Sequence, residues 1–119
     1  MRILVAVEDA YRAYGDAIVR VIRSTYPHLE VMAVADQGDL QVQLARSEPH
    51  LLISIGQAVP LASRQGRLSY IELSVEPNKP SLIYLGGQRR ESLNPSLGEL
   101  LDVAEHTELI LARAVGSDT

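Results

Sequence analysis

Arg2-Ile3-Leu4-Val5-Ala6-Val7-Glu8-Asp9 is the stretch on which the reading of this chain turns. Ile3 to Val7 is an unbroken apolar run, β-branched at alternate positions, which suits a strand covered on both faces by helices. Such a strand belongs in the middle of a sheet. The run stops at two adjacent carboxylates, Glu8 and Asp9, and Asp9 stands where the N-cap of a following helix is expected. In open α/β sheets ligands and chemistry collect at the C-terminal ends of the strands, so this acidic pair is the first functional lead. The plainer alternative is a helix-capping Asp9 beside a solvated Glu8.

Composition narrows the field. A chain of 119 residues with 46% hydrophobic content fits one domain with a real core. A formal charge of −4 and a pI near 5.3 supply no general attraction for nucleic acid or for an acidic membrane surface. Cysteine is absent, which excludes disulfides, thiolate metal sites and cysteine nucleophiles. Phe and Trp are also absent, so the core must be built from Leu, Ile, Val and Ala, and platforms for stacking single-stranded bases are few. No apolar run approaches the ~20 residues needed to span a bilayer, and a cytoplasmic protein without membrane contact is expected.

Outward from the first strand, a helix is predicted from Ala10 to Tyr26. Tyr14, Ile18, Val21 and Ile22 lie on its core face, and Arg12, Asp16 and Arg20 form an i, i+4 ladder on its solvent face. Gly15 costs such a helix about 1 kcal/mol against Ala, and Pro27 ends it. A second strand is predicted at Glu30 to Ala35. After the turn residues Asp36, Gly38 and Asp39 comes a short helix with Leu40 and Leu44 inward, ending near Arg46 and Ser47. Pro49 blocks its continuation, and Leu51 to Ile55 reads as a third, fully buried strand with Gly56 behind it.

The order βαβαβ, the acidic pair after the first strand, the Asp-x-Gly turn opening the second helix and the Pro ahead of an apolar third strand together resemble the receiver domain of bacterial two-component response regulators, of the kind often joined to a helix-turn-helix output domain. The likeness covers roughly the first 55 residues. It implies a flavodoxin-like, three-layer αβα fold with a central, mostly parallel five-stranded sheet. It also implies a Mg²⁺ site at the acidic pair, matched here by Glu8 and Asp9, and a phosphoacceptor aspartate on the third strand.

That aspartate is not there. Counted from Pro49 the phosphoacceptor position falls on Ile55, and counted from the acidic pair it can fall on Ser54. Accepting a phosphoryl group from a phosphohistidine needs an ionised carboxylate as nucleophile and a further oxygen ligand for the metal, and Ile supplies neither. A Ser hydroxyl without a base beside it is a weak nucleophile. Glu8 and Asp9 are then a vestigial pair, no cofactor is expected, and enzymatic phosphotransfer is not expected either. His50, at a strand start, reads as a satisfied structural histidine.

The second half departs further from the receiver pattern. A short helix around Leu61 to Arg64 fits between the third strand and the β-like run Leu68 to Val75, but only VEPNKP separates that run from Ser81 to Leu85. A parallel crossover needs a dozen or more residues, so these two runs are expected to form an antiparallel hairpin or one of them to leave the sheet, and either way the receiver's fourth helix is without a counterpart. Ser74 sits where a receiver's phosphate-sensing hydroxyl would be, although local backbone bonding is the commoner role for such a serine. Lys79 reads as a turn lysine and Pro80 as the start of an edge strand. Gly86-Gly87 followed by Arg89-Arg90 reads as a surface turn, at the far end of the sheet from Glu8 if the last strand is antiparallel.

A long helix closes the chain to about Val115, with Ser96 and Glu99 at capping-box spacing and Leu97, Leu100, Leu101, Ala104 and Leu111 as its core stripe. Val103, Ile110 and Ala114 widen its apolar face and are the candidate interface for a protein partner or a homodimer. Two functions follow as expectations. The first is a degenerate receiver that is not phosphorylated and acts through protein contact. The second is a small-molecule-binding or enzymatic α/β domain, for a nucleotide for example, with the acidic pair Glu8 and Asp9 and with Ser54, Ile55, Gly56 and Ser74 around a pocket at the sheet edge.

Overall fold

A computed structural model describes residues 1–35, 37–56, 69–76 and 78–116. Among them run β1 (Arg2–Val7), a 3-10 turn (Asp9–Tyr11), α1 (Arg12–Thr25), β2 (Glu30–Val34), α2 (Gln37–Ser47), β3 (Leu51–Ile55), β4 (Ser69–Leu73), β5 (Ser81–Leu85), β6 (Gln88–Ser92) and α3 (Leu97–Gly116). The strands form one sheet in the order β2-β1-β3-β4-β5-β6. The first four are parallel, while β5 runs antiparallel to β4 and β6 antiparallel to β5. This is a mixed, mostly parallel sheet of flavodoxin-like αβα architecture ending in a long helix.

β1 occupies the interior position that its apolar run requires, and its alternation divides the core in two. Ile3, Val5 and Val7 face a cluster built with Ile18, Val19 and Ile22 of α1 and Leu100, Val103 and Ala104 of α3. Leu4 and Ala6 face the opposite layer, with Leu40 and Leu44 of α2, Leu52 and Tyr70. The chain leaves β1 toward β2 and returns past it to β3, so α1 and α2 lie on opposite faces and the strand order reverses between β1 and β3. Each fully buried Leu or Ile in these layers contributes about 1.5–3 kcal/mol relative to an exposed one.

α1 turns a different face to the core from the one its apolar residues suggest. Tyr14 is 51% exposed, and Gly15 takes the inward position beside Ile18, Val19 and Ile22. A Cβ on Gly15 would lie 3.1 Å from Cβ, Cγ1 and Cγ2 of Val7. Its absence lets the helix approach the strand. Asp9 does not cap the helix either. The chain enters through the 3-10 turn, Glu8 is the residue before it, and neither that turn nor α1 has a side-chain cap.

The second half holds one strand more than the five expected. β4 and β5 form the hairpin that the short connection requires. Gly86 and Gly87, at φ +58° and +85°, then turn the chain back into β6. Both positive φ values match a two-residue hairpin turn, a conformation that glycine adopts without strain. Pro80 precedes an interior strand rather than an edge strand, because β6 covers β5, and it stands just outside the ladder, where its missing N–H costs no bond. The helix expected around Leu61 to Arg64 lies outside the described residues.

α3 is held by a half-formed capping box. The Glu99 backbone N–H donates to Ser96 Oγ at 3.1 Å, but the Glu99 carboxylate turns to Ser92 Oγ, at 2.9 Å, and to Arg90, at 3.3 Å, rather than back to Ser96. Its inward stripe is Leu100, Val103, Ala104 and Thr107, and Leu97 is 40% exposed. Thr107 accounts for the shift in the stripe: it donates to the Val103 carbonyl and shares a hydrogen bond with Ser69 on β4, which makes a polar position a buried one.

Candidate functional site

The site suggested by the sequence lies at the C-terminal ends of β1 and β3, where the strand order reverses. Val7 and Ile55 are in register, and the Glu8 N–H donates to the Ile55 carbonyl at 3.0 Å, so the two strands leave the sheet together. The Glu8 carbonyl accepts from Tyr11 N–H at 2.8 Å, closing the 3-10 turn over the strand end. Gly56 follows at φ +78°. A Cβ there would lie 2.7 Å from Tyr11 Cδ2 and 2.9 Å from Glu8 Oε2. Gly56 is thus required twice over, by its backbone angle and by the ring and carboxylate packed against it.

The two carboxylates differ in their surroundings. Glu8 is exposed, with Oε2 turned toward Gly56. Asp9 Oδ1 pairs with Arg12 Nη2 at 2.8 Å, an exposed i, i+3 contact that contributes little to stability. Among the described residues no group of three His, Asp or Glu side chains is placed to hold a metal ion.

Ser54 and Ile55 are fully buried. Ser54 lies between Ala6 and Glu72 in the ladder, on the α2 face with Leu52, whereas Ile55 belongs to the opposite cluster with α1 and α3. They therefore form the floor of the site and not its lining.

Gly56 and Ser74 do come together. With Glu72, Glu76, Lys79 and Leu82 they line a cavity of about 270 Å³ above the ends of β3 and β4. The Ser74 hydroxyl is committed to its own loop: it donates to the Glu76 carbonyl at 3.1 Å and accepts from the Glu76 N–H at 3.2 Å, while the Ser74 N–H donates to Ser81 Oγ at 2.9 Å. This is the local backbone role its sequence position suggests. Lys79 lies in the same turn, its N–H donating to the Glu76 carbonyl at 3.1 Å. Among the described residues lining this cavity the carboxylates of Glu72 and Glu76 outnumber the Lys79 ammonium, and these groups give a phosphate or nucleotide weak electrostatic support.

The remaining residues singled out from the sequence have structural positions. His50 accepts the Arg2 backbone N–H at Nδ1, at 3.1 Å, and anchors the start of β3. Val103 is 1% exposed within the core, so it is not surface for a partner; the stripe is rotated toward it by the buried Thr107. Ile110 is half-buried, with Cδ1 3.3 Å from where a Cβ on Gly86 would stand, and the Ala114 side chain lies outside the described ones. Sequence reasoning missed β6, whose Arg90 reaches α3 and whose Arg89 pairs with Glu91 at 3.3 Å. Its signal was the glycine pair, since its own residues carry no apolar alternation.

No protein-family model matches the chain, and no curated protein matches it either. No helix among the described residues is long and apolar enough to cross a membrane.

Proposed function

We propose that this chain is a degenerate receiver-like module, cytoplasmic and regulatory, which accepts no phosphoryl group and acts by contact with another protein. The observation that carries the reading is the end of β3. At the three positions where a nucleophilic carboxylate could face Glu8 and Asp9, the chain has a buried hydroxyl (Ser54), a buried alkyl group (Ile55) and a glycine whose side-chain space is taken by Tyr11. The parallel order β2-β1-β3-β4 and the acidic pair at the end of β1 support the receiver likeness. The absence of a carboxylate at the reacting position supports loss of the chemistry.

The test is an NMR titration of the chain with Mg²⁺ and beryllofluoride, and separately with acetyl phosphate. Backbone amide shifts of residues 6–12 and 53–56 are expected to stay in place. A saturable shift centred on Glu8 or Asp9, or a stable gain of one phosphoryl mass, would overturn the proposal.

The cavity beside Gly56 favours a second reading, a small-ligand domain. Its described lining, with Glu72 and Glu76 beside Lys79, suits a neutral or cationic compound better than a nucleotide. A thermal-shift screen separates the two readings, because a true ligand raises the melting temperature in step with its concentration.

A further inference from the structure

β6 lies at the margin of the sheet, with β5 on one side. In a hairpin with a two-residue turn the closing pair is hydrogen-bonded and the pairs alternate from there. Leu85 and Gln88 close this one, so Gln88, Arg90 and Ser92 bond back to β5, whereas Arg89 and Glu91 turn their backbone N–H and C=O groups toward the open side. Residues 88–91 are all exposed. Charged side chains commonly blunt an edge of this kind, because like charges repel a second strand. The charges at the two outward-bonding positions of β6 are opposite, an arginine and a glutamate, so a second copy in the matching register meets attraction there.

We propose that β6 pairs antiparallel with β6 of a second copy of this chain, about a two-fold axis through Arg90, joining two sheets into one. The proposal deepens the reading of the domain as a contact module by naming the partner. It rests on that reading for its purpose and on the edge strand for its geometry. The register follows from the strand itself. Only Arg89 and Glu91 have outward backbone groups, so they must face one another across the axis. Sliding by two residues either way sets Arg89 against Arg89 or Glu91 against Glu91, and like charges directly opposite are unfavourable. In the centred register Arg89 meets Glu91 of the second copy at both ends, and all four outward backbone groups of each strand find partners.

The flanking residues fit the same register. Arg90 meets Arg90 across the axis on the α3 face, but each is already paired with its own Glu99, so the four charges sum to zero. One step beyond each end the 60% exposed Leu93 comes opposite Gly87, where nothing lies within 4 Å of the space a Cβ would fill. Among the described residues α3 packs over β5 and reaches β6 through Glu99, which holds Arg90 and Ser92 from the inward-bonding positions.

The experiment is sedimentation equilibrium of the 119-residue chain at low salt, from roughly 10 µM to 1 mM, because short strand pairing falls at the weak end of protein association. The wild-type mass is expected to rise from 13.0 kDa toward twice that value. R89E presents two carboxylates at the edge and E91R two guanidinium groups. Each alone is expected to lose at least tenfold in association constant, and an equimolar mixture of the two is expected to regain it as a heterodimer. R89P, which removes an outward N–H together with the Arg89 side chain and leaves the ladder bonds to β5 in place, is expected to stay monomeric with unchanged far-UV circular dichroism. A wild type monomeric at 1 mM, single variants that self-associate like wild type, or a mixture that does not associate would each overturn the proposal. None of these outcomes depends on whether Asp9 or Ser54 can be phosphorylated, so failure here is distinct from failure of the receiver reading.

Discussion

Replacing Gly56 by alanine is the most direct probe of how the site at the end of β1 is built. Two separable costs are expected. The φ of +78° lies in the left-handed region, where an L side chain costs about 1–2 kcal/mol. The new methyl would also stand 2.7 Å from Tyr11 Cδ2, well inside carbon–carbon contact distance, and forcing such overlap costs about 1–3 kcal/mol. Tyr11 is only half-buried and its ring can swing outward, which places the steric part in the lower half of that range. G56A is therefore expected to lose about 2–4 kcal/mol, a large share of a small domain's stability. Urea titration followed by far-UV circular dichroism measures the loss. The parts are resolved by repeating the substitution in a Y11A/E8A background, where about 1–2 kcal/mol of backbone strain should remain and the steric part vanish. A loss below about 0.5 kcal/mol in the wild type, or identical losses in both backgrounds, would refute the account of why β3 ends in glycine.

Two further perturbations test the packing of α3. Burial, and then the carboxylates of Glu105, Asp102 and Glu108, raise the Tyr26 phenol above its ordinary pKa, so the unfolded chain ionises first: stability is full below about pH 10 and falls as the pH rises through the folded value. Ultraviolet titration of the Tyr26 phenol should place it above the ordinary tyrosine value, and E105Q should lower it; a Tyr26 that titrates at or below that value refutes the assignment. T107V leaves the buried Ser69 hydroxyl without its partner on α3 and is expected to cost about 1–3 kcal/mol, whereas S69A/T107V, which removes both hydroxyls, should recover most of that loss in urea titrations.

The parts of this fold that were legible in the sequence are those where hydropathy and burial coincide. Ile3 to Val7 and Leu51 to Ile55 are uniformly apolar and uniformly buried, so they read as central strands, and the seven-residue-or-shorter link between β4 and β5 forced the antiparallel turn. What stayed hidden depends on backbone geometry or on polar burial. Gly15 carries no hydropathy, yet it sets the rotation of α1 by its approach to Val7, and Tyr14 is left outside in consequence. Thr107 looks like a solvent residue and is buried. At the site, Gly56 was legible as a strand-ending glycine, but nothing in the sequence placed the Tyr11 ring against it. β6 owes its existence to ladder bonds with β5, and its exposed, charged residues carry no periodic signal.

The same short connection links the two functional readings. A receiver returns from its fourth strand through a helix, and a helix on that path both covers the sheet and keeps the fifth strand parallel. Here residues 74–80 are too few for that passage, so β5 must run antiparallel and ends at the opposite edge of the sheet from Glu8. A chain emerging there has no helix to lead it back, and the glycine pair returns it as β6. The short connection thus leaves no counterpart to the helix after a receiver's fourth strand, and it is followed by a further strand at the sheet margin. If both proposals hold, the missing carboxylate on β3 and the self-complementary β6 edge go together, with strand pairing in place of phosphorylation as the means of contact.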